Sequence, residues 1–366
     1  MARQIRLVEG PRAAASPTFP RMSHTPVLIV GAGPIGLACA ISAKRRGFDP
    51  LVIDAGPIVA SIVQYPVGMT FFTTPERLEI GNHPITCAGA KPTREEAMMY
   101  YRGIVRTEAL RLSTYTRLVA AGRQSPGGPF HCTLVPAGRS GNPIEITTDR
   151  LVLATGYFDR TNRLGVPGED LPHVTHYADE AHLSYGRDVV VIGGKNSAVE
   201  MALALWRAGA RVTLVYRGPA FKPSVKYWLR PDIENRIRNG EIAARLGARV
   251  LSITPSHVVI SSAEGREEQL AADRVYALIG FLPDFDLFAR VGVALDPETG
   301  RPALDPETLE TNVPAVHMAG SIVAGRAISE VFIENGRWDG EKIFGDPGAR
   351  RAAMARYDET PRPVGE

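Results

Sequence analysis

Apolar and polar positions along the chain fall into two matching blocks. Residues 27–56 read "VLIVGAGPIGLACAISAKRRGFDPLVIDAG", and residues 189–218 read "VVVIGGKNSAVEMALALWRAGARVTLVYRG". Each block is a short apolar run, a glycine cluster, a stretch with helical apolar period, then a second apolar run. That order predicts strand–helix–strand, with apolar runs short enough for buried parallel strands. The first block predicts strand 26–31, helix 34–47 and strand 50–54; residues 57–92 read as loops and short pieces. Thr93 and Glu96 stand at capping-box spacing before "TREEAMMYYRGIVRTEALRL", which predicts a helix. Short strands are expected in "LVAAG", "FHCTLV", "IEITT" and "RLVLATG". After the second block come a helix in "RPDIENRIRNG" closed by Gly240, strands up to "RVYALIG", a buried strand in "AVHMAGS", and one last helix in "ISEVFIENGRWDGEKIF". The expected architecture is α/β, with two Rossmann-like dinucleotide-binding domains, the second inserted into the first. Residues 25–164 and 284–346 make the first domain and 165–283 the second, flanked by a flexible extension at 1–24 and a flexible tail at 347–366.

The glycine clusters carry the chemistry. Gly31-Ala32-Gly33-Pro34-Ile35-Gly36 fits G-x-G-x-x-G between a strand and a helix. Gly31 allows the tight turn, Gly33 lets a pyrophosphate approach the backbone, and Gly36 lets helix and strand pack closely. The phosphates rest on the helix N-terminus. Asp54 ends the next strand and suits a ribose diol, so FAD or NAD fits better than NADP. In the second cluster, Gly193-Gly194-Lys195-Asn196-Ser197-Ala198, position three is Lys and position six is Ala. A side chain at position three crowds a pyrophosphate, although its ammonium could meet a phosphate. The following strand ends in Arg217 where the first block has Asp54, and Lys222 and Lys226 lie just beyond. Arg there suits a 2′-phosphate; an exposed strand-end charge with NADH is the other reading. Two unlike nucleotide sites on one chain point to FAD in the first and NADPH in the second, with hydride passing between them.

Bulk properties exclude several classes. The net charge of +3 over 366 residues is too small to argue for nucleic acid or an anionic membrane, and no apolar run approaches a transmembrane length. Cys39, Cys87 and Cys132 are far apart, with no CxxC pair, which fits a reducing cytoplasm rather than a disulfide scaffold. The first 24 residues lack an apolar signal core; they loosely imitate a transit peptide, or else Met22 is the start. His173, His176 and His182 lie close in sequence without a carboxylate or Cys in metal-ligand spacing, so no metal is expected. His176 is a weak proton-donor candidate. Gln64, Tyr65, Phe71 and Phe72 offer polar and aromatic walls for an isoalloxazine, as does Tyr157. Tyr227 and Trp228 offer a cover for adenine, and Gly280 closes the second domain's last strand beside the nicotinamide nucleotide.

"GAGPIGL", "LVLATGY", "VVVIGGKNSAVE", "LVYRG" and "VHMAGS" together resemble the skeleton of two-dinucleotide-domain flavoproteins such as thioredoxin reductase. "FFTTPERLEIG", "GVPGEDLP", "GGKNSAVE", "ARVTLVYRG" and "EVFIENGR" narrow the resemblance to the bacillithiol disulfide reductases, NADPH-dependent FAD enzymes without CxxC, over residues 25–345. The resemblance implies reduction of a low-molecular-weight thiol disulfide by NADPH through FAD, in a homodimer or higher homo-oligomer. It places Thr155 and Gly156 where the chain leaves the FAD domain, Gly320 and Ser321 beneath the flavin, and a helix from near Ile328 aimed at the flavin's pyrimidine edge. Two residues depart from the family. Ile35 stands where many members carry Cys beside the flavin, and Ser321 where larger relatives carry Asp. Ile cannot attack a disulfide. The acceptor is therefore a thiol disulfide reached through another cysteine (Cys87 being a weak candidate) or by flavin directly, or else a ferredoxin or flavodoxin. A flavin-based redox sensor is the remaining reading.

Overall fold

The first apolar run is the inner part of a longer strand, β1 (Ser23–Val30), whose residues alternate between two cores. Val27 and Ile29 face one side, while Leu28 and Val30 face the other. Both faces are covered, so the run is apolar throughout rather than alternating with polar residues. The structure, a computed structural model, describes residues 23–138, 140–327 and 330–359. Most of the extension expected at 1–24, with Met22, lies outside the described residues, but Ser23 and His24 already belong to β1.

From β1 the chain runs through α1 (Pro34–Arg45), β2 (Pro50–Ile53), α2 (Ala60–Val63), α3 (Pro75–Leu78) and α4 (Arg94–Thr107). Then follow β3 (Arg111–Ser113), β4 (Thr116–Arg123), β5 (Phe130–Pro136) and β6 (Ile144–Leu153). Helix α1 stops two residues short of the expected end because Gly47 takes φ 83°, and Phe48 N–H closes the helix on the Ala43 carbonyl at 3.1 Å. At α4, Thr93 Oγ1 accepts from Glu96 N at 3.2 Å, and the Glu96 carboxylate accepts from Thr93 N at 2.8 Å, the expected capping box. The two strands expected at "IEITT" and "RLVLATG" are one strand, β6, because both halves pair with β1 in a single parallel register.

The inserted unit has its own parallel sheet. It contains β7 (Val174–Thr175), β8 (Asp188–Ile192), α5 (Asn196–Arg207), β9 (Arg211–Tyr216), α6 (Arg230–Arg238) and β10 (Ala243–Leu246). A three-stranded antiparallel sheet, β11 (Arg249–Ile253), β12 (His257–Ser261) and β13 (Glu267–Ala271), precedes β14 (Arg274–Ala277). The parallel sheet runs β10-β9-β8-β14-β7. Val189 and Val191 pack on the α5 side, Val190 and Ile192 on the antiparallel sheet.

The chain then returns through α7 (Phe285–Val291) and β15 (Val316–Met318), which pairs with β6 over Leu151–Leu153. That completes a seven-stranded sheet ordered β3-β2-β1-β6-β5-β4 with β15 beside β6. The single last helix expected over 328–344 is instead two short helices, α8 (Ile333–Gly336) and α9 (Asp339–Phe344). The tail is also a correction. Of the tail expected to be flexible over 347–366, residues 347–359 form α10 (Pro347–Glu359), with Ala353 buried, Lys342 Nζ 4.2 Å from the Tyr357 ring and Arg356 over Trp338, while 360–366 lie outside the described residues.

Two segments cross between the sheets side by side, meeting in a single antiparallel bridge between Thr161 and Phe281. Asn162 N donates to Gly280 O at 2.9 Å and Leu282 N to Arg160 O at 2.8 Å, while Phe158 stacks on Phe281 at 4.2 Å. No helix among the described residues is long and apolar enough to cross a membrane.

Candidate functional site

The first glycine turn divides its work as the spacing predicts. A Cβ on Gly31 (φ 117°) would stand 2.2 Å from Ala154 O, and one on Gly36 would stand 1.9 Å from Gly31 O. Those two glycines are required by strand–helix packing. At Gly33 a Cβ would meet nothing within 4 Å, so its backbone lies open beside the start of α1. That helix has Pro34 in its first turn, no side-chain N-cap and no acidic residue there, leaving its amide end free for an anion. Asp54 is less free than expected: Oδ2 accepts from Ala32 N at 2.6 Å and Oδ1 from Gly56 N at 2.7 Å. Burial still pushes its pKa up against those bonds. A cavity of about 170 Å³ opens beside it, lined by Gly31, Asp54, Thr116, Arg117, Thr155 and Asp159. Thr155 Oγ1 is buried with no hydrogen-bond partner. An orphaned hydroxyl, an open glycine and an uncapped helix end are what a bound dinucleotide would satisfy, so these residues fit one. Gly156 and Tyr157 line the same cavity. The sequence reading missed Asp159, whose carboxyl burial also pushes up.

At the other end of the turn, Ile35 sits between two glycines of the returning chain. A Cβ on Gly320 (φ 76°) would lie 3.2 Å from Ile35 Cγ1, and one on Gly336 would lie 3.1 Å from Ile35 Cδ1. Thus Ile35 meets the segment that follows β15 and helix α8. Gly320 N donates to Asp339 Oδ2 at 2.7 Å. Asp339 is buried, and burial pushes its pKa up to about 6 despite the Gly320 bond and the nearby Lys342. No sequence signal singled it out; it reaches Gly320 because α9 packs on α1, where Ser42 Oγ donates to Glu341 Oε1 at 2.9 Å. Ser321 is half-buried. Ile328 lies outside the described residues; helical backbone begins at Ile333, with Phe332 N donating to Asn335 Oδ1 at 2.8 Å. The helix is therefore later and shorter than expected. Glu334 on α8 was also missed; burial raises its pKa, opposed by Arg77, Arg337 and a Thr73 hydrogen bond.

The aromatic residues divide. Tyr65 meets Phe71 at 6.0 Å and Phe158 at 5.5 Å, and Tyr157 meets Phe158 at 6.0 Å. Phe72 does not join them; its ring lies 5.7 Å from Trp228 of the inserted unit. Gln64 is exposed at the end of α2.

The cysteines and histidines stand apart from this cluster. Cys39 and Cys132 are buried, and burial pushes both thiols up, Cys132 to about 12. Cys87 is half-exposed and its Sγ donates to Gly89 O at 3.1 Å. His176 Nε2 lies 3.5 Å from Glu169 Oε1, and Glu169 also accepts from Leu164 N and Gly165 N at the crossing segment. No cluster of metal-ligating side chains occurs among the described residues.

In the second turn, a Cβ on Gly193 (φ 142°) would reach Leu278 O at 2.4 Å, and one on Gly194 would enter the Tyr216 ring. Ala198 serves at position six because its methyl fits the space beside Gly193. Lys195 and Ser197 are exposed at the start of α5. Asn196 is occupied with the next loop: Oδ1 accepts from Lys226 N at 2.9 Å and Nδ2 donates to Ser224 O at 3.2 Å. Arg217 and Lys222 are exposed and form no ion pair among the described residues. Lys226, also expected near the second nucleotide, already has partners within the protein. Its Nζ pairs with Glu200 Oε1 at 3.3 Å and lies 2.6 Å from the Phe72 ring centroid. Gly280 takes φ 98° in the crossing segment, against Asn162. Tyr227 and Trp228 are exposed and meet edge to face at 4.8 Å.

Comparison with known proteins agrees with this geometry. A family described as pyridine nucleotide-disulphide oxidoreductase matches residues 28–320, a span that includes both glycine turns. Bacilliredoxin reductase Bdr of Bacillus subtilis (strain 168) is 42% identical over 337 residues, covering 90% of this chain and 99% of the relative. A ferredoxin–NADP reductase of Ignicoccus hospitalis is 30% identical over 310 residues, 81% of this chain and 89% of that protein. Among solved structures, bacillithiol disulfide reductase Bdr (YpdA) from Bacillus cereus superposes with a TM-score of 0.84 at 40% identity, covering 91% of this chain and 100% of that one. The chain therefore belongs to the pyridine nucleotide-disulphide oxidoreductase family and is a flavin oxidoreductase that works with a nicotinamide nucleotide.

Proposed function

We propose that this protein binds FAD in the first unit and NADPH in the second, and reduces a low-molecular-weight thiol disulfide of the bacillithiol type. The observation that carries the nucleotide choice is the contrast at the two strand ends. Asp54 lines a cavity together with Gly31, while Arg217 stands exposed after β9 and forms no ion pair among the described residues. A carboxylate there accepts from a ribose diol; a guanidinium there matches a 2′-phosphate. Gly31, Gly33, Gly36 and the α1 amides hold the flavin nucleotide's pyrophosphate, and Thr155 Oγ1 gains the partner it lacks. Gly193, Gly194, Lys195 and the start of α5 take the second pyrophosphate, with Arg217 and Lys222 at the adenosine end. FAD held there would supply two-electron chemistry between the nicotinamide nucleotide and the acceptor. The disulfide class rests on the relatives named bacilliredoxin reductase and bacillithiol disulfide reductase.

Ile35 favours a second acceptor, a ferredoxin or flavodoxin. That chemistry needs no protein thiol, and two of the three cysteines are buried. Anaerobic stopped-flow separates the two. The purified holoprotein is reduced with NADPH, then mixed with bacillithiol disulfide. Fast flavin bleaching followed by fast reoxidation supports the disulfide reductase. Bleaching without reoxidation rejects that acceptor and turns the test to ferredoxin and flavodoxin. Absence of bleaching rejects the NADPH oxidoreductase.

A further inference from the structure

Lys226 belongs to the inserted unit, yet its ammonium lies over a ring of the flavin unit. Nζ is 2.6 Å from the Phe72 centroid and 5.5 Å from the Trp228 ring, and it pairs with Glu200 on α5 at 3.3 Å. Phe72 and Trp228 also touch, with centroids 5.7 Å apart. A cation held between a carboxylate and an aromatic face gains from both, although burial works against the charge and lowers the Lys226 pKa in spite of Glu200. This cluster is separate from the Phe158–Phe281 stack at the crossing segments. Two units joined by crossing segments alone could rotate about them. Residues 72 and 226 make a second contact between the units.

The neighbours of the pair extend towards both nucleotide sites. On one side, the Lys226 amide donates to Asn196 Oδ1, and Asn196 is the first residue of α5, beside the second glycine turn. On the other side, Phe72 precedes Thr73, whose side chain helps hold down the pKa of Glu334 on α8, the helix whose Gly336 lies against Ile35.

We propose that Lys226 is a positioning residue: through Phe72 it holds the nicotinamide-binding unit against the flavin unit in the arrangement from which hydride passes. The proposal rests on the nucleotide assignment above but not on the identity of the acceptor. It assigns Lys226 to apposition of the units and not to the 2′-phosphate, and it makes Phe72 a partner of that lysine rather than a wall of the flavin.

The test uses the holoprotein with Lys226→Met, which keeps the length of the side chain without charge, Lys226→Arg, which keeps a cation over the ring, and Phe72→Leu. Three quantities are read: the NADPH dissociation constant, the rate of flavin bleaching at saturating NADPH, and amide hydrogen exchange without NADPH. Lys226→Met and Phe72→Leu should each slow bleaching at least tenfold with the dissociation constant within twofold of wild type. Both should raise exchange in segments 66–74 and 222–229 together. Lys226→Arg should recover bleaching to within about threefold, and the double variant Lys226→Met/Phe72→Leu should be no slower than either single one, as expected of one shared contact. A weaker NADPH affinity with an unchanged saturating rate would overturn the proposal and return Lys226 to the phosphate. An unchanged rate with unchanged exchange would also overturn it. If wild-type flavin is not bleached by NADPH, the nucleotide assignment fails, whereas the exchange result still reports on the contact itself.

Discussion

Ile35 crowds the position that a β-carbon on Gly320 would take, its Cγ1 lying 3.2 Å away. The first glycine turn and the segment after β15 therefore approach each other closely here. Gly320 has φ 76°, a backbone conformation that costs any other residue strain. Gly320→Ala adds that strain to the contact with Ile35, so it should lower stability by about 1–3 kcal/mol. It should also weaken FAD retention, read as the fraction of flavin lost on gel filtration. A variant that keeps its flavin and its melting temperature would show that the junction tolerates a side chain.

His317 within β15 and Asp339, bonded to Gly320 just after it, have pKa values shifted in opposite senses. Burial pushes Asp339 up to about 6 from 3.8, so folding takes up a proton there and its contribution to stability falls as pH rises from about 4 to 6. Burial pushes His317 down to about 4 from 6.5, opposed by its hydrogen bond to Thr308 O. Folding excludes that proton, so the contribution of His317 is lost as pH falls from about 6.5 to 4. The two partly cancel in wild type. Asp339→Asn keeps an oxygen for Gly320 N–H and removes one of them. Its stability relative to wild type should therefore grow between pH 4 and 6, by up to about 3 kcal/mol at 1.36 kcal/mol per pKa unit. Chemical denaturation at both pH values checks this, and a difference that stays constant with pH would refute it.

Arg217 stands at the second strand end without an ion pair among the described residues. Arg217→Ala should raise the NADPH dissociation constant by about 10-fold or more, from loss of a charge-assisted contact worth roughly 1.5–3 kcal/mol. NADH binding should stay within twofold. Equal losses for both nucleotides would remove the 2′-phosphate assignment.

Thr93 caps α4, a helix that presents Ala97, Tyr101 and Ile104 to the core. Thr93→Ala deletes the cap and should cost about 1 kcal/mol, with bleaching by NADPH unchanged. Loss of activity without loss of stability would mean that this helix does more than support the flavin unit.

Local pattern made much of the fold legible. Apolar runs buried on both faces, the capping box at Thr93 and the G-x-G-x-x-G spacing each act within a few residues, so reading the chain in order finds them. The helix expected over 328–344 was less legible, because its apolar period survives a break between α8 and α9 that packing against α1 imposes.

The sequence by itself determined that there are two nucleotide turns, their order, and the opposite charges at their strand ends. It did so because a turn against a phosphate constrains neighbouring residues directly. Tertiary structure decided which side chains are left for ligands. Asp339 reaches Gly320 from 19 residues away. Lys226, which stands beside Arg217 and Lys222 in the sequence, is drawn instead to Glu200 and Phe72. Charge and burial act through space, and a cation goes to the carboxylate and ring that the fold places beside it, whatever their separation along the chain.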